Sequence, residues 1–115
     1  LQVDPKGLVR GYAVNVSNFQ TTADNITFCK GLAGGKPCVI DSSRNGNGPT
    51  ADNVWCNPSG RALGKFPSAV TNDARVDAFL WIKTPGDSDG ACNGAPPAGT
   101  FMPDYAIGLA RAAGY

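Results

Sequence analysis

Apolar residues in this chain fall in short runs, separated by long stretches rich in glycine, asparagine and proline. Residues 8–19, "LVRGYAVNVSNF", concentrate Val, Tyr and Phe and predict a strand ending near Asn15. Residues 21–33, "TTADNITFCKGLA", open on a capping pattern and predict a short helix stopped by Gly34 and Gly35. "KPCVID" (36–41) predicts a brief strand. "RVDAFLWIK" (75–83) is the clearest strand, apolar on both faces as in a parallel sheet covered by helices. "TFMPDYAIGLARAAGY" (100–115) predicts a closing helix with Ile107, Leu109 and Ala110 on its apolar side.

Strand, helix, strand, loop, strand, loop, helix is the order of βα units in a parallel α/β fold. The two unpatterned stretches, 42–67 and 84–99, both follow strands, where such folds keep their binding residues. A structureless loop of about 25 residues is uncommon in a compact domain and points to function. This one carries Arg44, Trp55 and Arg61.

Composition narrows the picture. At 115 residues the length suits one domain, and 42% hydrophobic against 17% charged residues excludes wholesale disorder. A net charge of +1 with no basic run argues against nucleic acid or an anionic membrane as partner. No apolar run reaches transmembrane length, and no signal peptide is visible. The chain begins at Leu1, as expected of a mature product or of a piece of a longer protein. Cys29, Cys38, Cys56 and Cys92 form no C-x-x-C pair and no histidine accompanies them, so a metal site is not expected. An even count without metal spacing favours disulfides and export, against four buried thiols in a cytosolic protein. Linking sequence neighbours pairs Cys29 with Cys38 and Cys56 with Cys92.

Three motifs carry candidate chemistry. "VIDSSRNGNGP" (39–49) leaves a strand into a polar loop holding Arg44, with Asp41 read as a strand-end carboxylate. Its Asn-Gly pairs lack the second strand that a hairpin needs, and neither a helix start nor a Walker lysine follows to make a phosphate cradle. "DNVWCNPSGRALG" (52–64) sets Trp55 beside Cys56, either as a plug over a disulfide or as an exposed face for stacking on a sugar. "IKTPGDSDG" (82–90) puts Lys83 close to Asp87 and Asp89, either as a solvated turn or as a site whose cations hold Asp89 ionised. "NVS" (15–17) and "NIT" (25–27) are formal glycosylation acceptors.

Taken in order, "NVSNF", "VIDSSRNGNGP", "WCNPSGRALG", "VDAFLWIKTPGDSDG" and "PPAGTF" resemble the C-terminal part of glycoside hydrolase family six, over roughly residues 8–113. That family comprises cellulases that cleave β-1,4-glucan with inversion on a distorted α/β barrel. The resemblance implies about three parallel strands with outer helices and two active-site loops. It implies that Asp89 stands at the position of the family's proposed catalytic base, with Arg44 paired to it. It likewise implies that Lys83 and Asp87 bind glucose hydroxyls and that Trp55 stacks on a glucosyl unit. The family usually carries Glu where this chain has Asp87, one methylene shorter. The resemblance also implies a Cys56–Cys92 disulfide tying the two loops, whereas Cys29 and Cys38 are not usual family positions.

A complete barrel runs to about 250 residues, and the family's catalytic acid lies upstream of the matched segment. The expectation is therefore a fragment, residues 1–115, of a secreted and monomeric cellulase acting on cellulose or another β-1,4-glucan, without a cofactor. Isolated, it is expected to be marginal in stability, with an exposed edge strand, and inactive for want of the acid. Endo action is preferred because the segment 90–99 is short and would leave the cleft open. Rival readings are a non-catalytic glucan-binding module and a disulfide-stapled structural domain.

Overall fold

A computed structural model describes residues 4–115. Strand β1 (Tyr12–Val14), helix α1 (Thr22–Gly31), strands β2 (Cys38–Asp41) and β3 (Val76–Leu80) and helix α2 (Pro103–Ala112) follow in that order. Single 3-10 turns occupy Ala33–Gly35 and Cys92–Gly94. The three strands form a parallel sheet in the order β1-β2-β3, as the βα pattern predicts.

Each element is shorter than its apolar run. Leu8 and Val9 stay outside β1 because their amides donate to the Asp4 carboxylate instead of to a strand. Past Leu80 the chain leaves the sheet, and the amide of Lys83 turns to the Asp41 carboxylate. In α1, Thr21 Oγ1 accepts from the Asp24 amide and so caps the first turn. In α2, Pro103 occupies the first turn, where its missing N–H costs nothing.

Register explains the core. Val14, Ile40 and Phe79 align across the three strands and are all buried. With Cys29, Cys38 and Val76 they form the hydrophobic core, each large side chain contributing about 1.5–3 kcal/mol. The next row, Ala13, Val39 and Ala78, lies on the opposite face and is only partly covered or exposed. The apolar pattern of β3 predicts cover on both faces. Here α1 covers one face through the Cys29–Cys38 disulfide, while α2 docks on the long loop, where Leu109 O accepts from the Leu63 amide.

The loop 42–67 is compact rather than slack. Gly46 N donates to Ala62 O, Gly64 N to Ser42 O, and Ser42 Oγ to Lys65 O. Close backbone approach dictates two of its glycines. A Cβ on Gly46 would stand 2.2 Å from Leu63 O, and one on Gly64 would stand 2.0 Å from Asn45 Oδ1. Beyond the loop, Ser68 exchanges two backbone hydrogen bonds with Phe79 and closes the outer side of β3. Among the described residues β1 pairs only with β2, so the exposed edge expected of this chain falls on β1.

Candidate active site

All three strands end on the same rim of the sheet, and the segments that follow them converge there. From the loop after β2 comes Arg44, wholly buried, with its guanidinium carbon 4.3 Å from the centre of the Phe19 ring. From the loop after β3 come Lys83 and Asp89. Arg44 Nη1 donates to Asp89 Oδ2 at 2.7 Å, and Lys83 Nζ lies 3.2 Å from Asp89 Oδ1. Arg44 Nη2 donates to Ser17 O at 2.8 Å, tying the ion cluster to the segment after β1. Lys83 Nζ also donates to Ser88 O.

The Asp89 side chain is only 6% exposed. Burial is the largest single effect on its carboxyl and raises the pKa. The hydrogen bonds from Arg44, from the Asn57 amide and from Lys83 together outweigh burial and leave the pKa below its ordinary 3.8. Asp89 is thus ionised across the neutral range while nearly dry. Tyr105 of α2 faces the same cluster; burial raises its phenol pKa, the charge of Asp89 adds to this, and Arg44 opposes it. Its hydroxyl donates to Pro58 O at 2.7 Å.

Two consecutive residues tie the loop after β2 to the loop after β3, and the next ties it to α2. Cys56 is bonded to Cys92, with Cα atoms 6.4 Å apart. Asn57 N donates to Asp89 Oδ2, and Asp89 N donates to Asn57 Oδ1. Pro58 is held by Tyr105. Asn57 Nδ2 further donates to Gly90 O at 3.0 Å, and buried Ser88 donates through its hydroxyl to Pro96 O.

The structure therefore brings together Arg44, Lys83 and Asp89 and forms both disulfides, including Cys29–Cys38, whose Cα atoms are 6.3 Å apart. Trp55 is 67% exposed and so is no plug over the disulfide. Asp87 is half-buried, and its carboxylate accepts no protein hydrogen bond among the described residues. Both sequon amides are occupied: Asn15 Nδ2 donates to Asp41 O, and the largely buried Asn25 donates to Gln20 O and Thr21 O. Asn57, Tyr105 and Ser88 escaped the reading of the sequence. Adjacency to Cys56 in an Asn-Pro turn is the sole local signal for Asn57, and nothing local marks the other two.

A buried carboxylate clamped by two cations thus stands on the strand-end rim of a parallel sheet, where α/β folds keep their binding residues. The chain belongs to glycosyl hydrolases family 6, whose sequence profile matches residues 3–113. It is 52% identical over 104 residues to endoglucanase A of Cellulomonas fimi, covering 88% of this chain and 23% of that one. To endoglucanase 1 of Streptomyces sp. (strain KSM-9) the identity is 46%, over 87% of this chain and 28% of the relative. Among solved structures it superposes on the endoglucanase Cel6 from Mycobacterium tuberculosis, in complex with methyl-cellobiosyl-4-deoxy-4-thio-β-D-cellobioside. The TM-score is 0.89 at 53% identity, over 95% of this chain and 39% of that one. The chain thus spans roughly a quarter of the curated relatives' length, and its three parallel strands and two helices correspond to part of an α/β barrel.

Proposed function

We propose that this chain carries the water-activating side of the active site of an inverting, endo-acting β-1,4-glucanase, and that cellulose is its substrate. The observation that carries the reading is the Asp89 carboxylate, buried and clamped between Arg44 and Lys83 within a family 6 chain. In inversion, one carboxylic acid protonates the leaving oxygen while a carboxylate on the other face of the sugar takes up a proton from the attacking water. The two carboxyls stand about 6.5–9.5 Å apart.

Asp89 fills the second role. A carboxylate held below its ordinary value is a weaker Brønsted base. While ionised it orients the water and balances positive charge as the glycosidic bond breaks, and it takes up the water's proton as the new bond forms. Lys83 and the free carboxylate of Asp87 bind glucose hydroxyls, and the exposed Trp55 offers its face to the apolar C–H side of a glucosyl ring. This chain offers no equivalent for the acid. Asp41 is wholly buried with its oxygens taken by backbone amides, and Asp52 is exposed in a turn of the long loop. The acid then comes from the remainder of the family domain, of which residues 1–115 form the C-terminal segment.

Endo action is supported by the relatives called endoglucanases, at 42–52% identity, against 36% or less for those called cellobiohydrolases. Secretion is supported by two disulfides, which persist in oxidising compartments. No helix among the described residues is long and apolar enough to cross a membrane.

Viscosity loss of soluble carboxymethylcellulose, followed with the complete family domain and its Asp89→Asn variant, tests the reading. Wild-type viscosity loss that the variant abolishes supports it. Release of cellobiose without viscosity loss would reject endo action, and turnover by the isolated 115 residues would reject the division of roles.

A further inference from the structure

The sequence reading leaves Asp41 as a strand-end carboxylate, and the structure shows it doing more. It is wholly buried at the end of the central strand, so it touches no substrate. Its carboxylate accepts three backbone amides, one from each segment that leaves the sheet. Ser17 N, after β1, donates at 2.9 Å; Ser43 N, after β2, at 3.0 Å; Lys83 N, after β3, at 3.1 Å. Two of these donors belong to the Asp89 clamp. Ser17 is the residue whose carbonyl receives Arg44 Nη2, and Lys83 is itself the second cation. The Asp41 backbone carbonyl also accepts from Asn15 Nδ2, fixing the turn that leads to Ser17.

We infer that Asp41 is a positioning residue: by gathering the three strand-end amides it sets the places of both cations that clamp Asp89. Only a carboxylate suits this hub, because it accepts on both oxygens, whereas an amide would turn a donor towards one of the three N–H groups. The inference rests on the role proposed for Asp89. Its test reads the carboxyl itself, so it stands or falls apart from any result on turnover.

Charge and positioning predict opposite signs, which makes the test sharp. The groups facing Asp89 are Arg44 after β2, Lys83 after β3 and Tyr105 on α2, and none of them changes in Asp41→Asn. If Asp41 acted only as a nearby negative charge, its neutralisation would lower the Asp89 pKa. If it positions the cations, their displacement raises that pKa. The experiment is a carbon-13 NMR titration of the Asp89 carboxyl in the 115-residue chain and in Asp41→Asn. The expected result is an upward shift of about 1 unit or more; a downward shift or none overturns the inference. Should Asp41→Asn fail to fold, amide hydrogen exchange of the wild-type chain decides. Ser17 and Lys83 amides exchanging at least about 100-fold more slowly than that of exposed Val16 uphold the hub, and unprotected amides at those two positions overturn it.

Discussion

Asn57 and Asp89 hold each other from both ends: Asn57 N donates to the Asp89 carboxylate at 2.9 Å, and Asp89 N donates to Asn57 Oδ1 at 2.8 Å. The pair is 32 residues apart in sequence and joins the two loops that carry the site. In Asn57→Ala the backbone donor survives and the Asp89 amide loses its acceptor. The expected cost is about 1–3 kcal/mol in denaturant unfolding, with a fall in glucanase activity of the complete domain larger than its rise in KM. An activity equal to wild type would show that the pair does not position Asp89.

The pH dependence of stability follows from the same carboxylate. The folded pKa of Asp89 is depressed, so its ionised form stabilises the fold above the unfolded value. That contribution is lost as pH falls through the folded value, in the region below about pH 4. Asp73 and Asp77 are lowered as well, each chiefly by an exposed lysine or arginine partner, and are less buried than Asp89. High salt should weaken the contribution of these two and spare that of Asp89. Melting temperatures between pH 2 and 6 at low and high salt check this, and Asp89→Asn should flatten the slope that remains.

The two disulfides should differ in weight. Chain-entropy reasoning gives about 4 kcal/mol for Cys56–Cys92, which spans 36 residues, and about 2.5 kcal/mol for Cys29–Cys38, which spans 9. Paired Cys→Ser variants measured by urea unfolding should rank in that order. The Cys56/Cys92 variant should also lose activity in the complete domain, because that bond lies beside Asn57 and Asp89.

Trp55→Ala separates binding from folding. The indole is 67% exposed and packs into no core, so unfolding should change by less than about 0.5 kcal/mol. Cellotetraose affinity should fall about tenfold, near 1.4 kcal/mol, in calorimetric titration of the complete domain. Unchanged affinity would remove Trp55 from the sugar site.

The order of elements and the parallel sheet were legible in the sequence because strand and helix write their periods locally: "YAV", "CVID" and "VDAFL" are apolar and β-prone, and Thr21 caps α1 with its own side chain. The motifs around Arg44, Trp55 and Asp89 were legible as a family resemblance, and cysteine spacing alone suggested both disulfides. Element ends were not legible, since Lys83 gives its amide to the distant Asp41 carboxylate, and Leu8 its amide to that of Asp4, rather than to the sheet. Nor were the contacts that hold the site. Asn57, Tyr105, Ser88 and the hub role of Asp41 rest on hydrogen bonds across the strand-end rim, between segments that no local pattern relates. A side chain's propensity belongs to its own few residues, whereas the partner that satisfies a buried polar group is chosen by which segments the sheet brings together; that choice belongs to the tertiary structure alone.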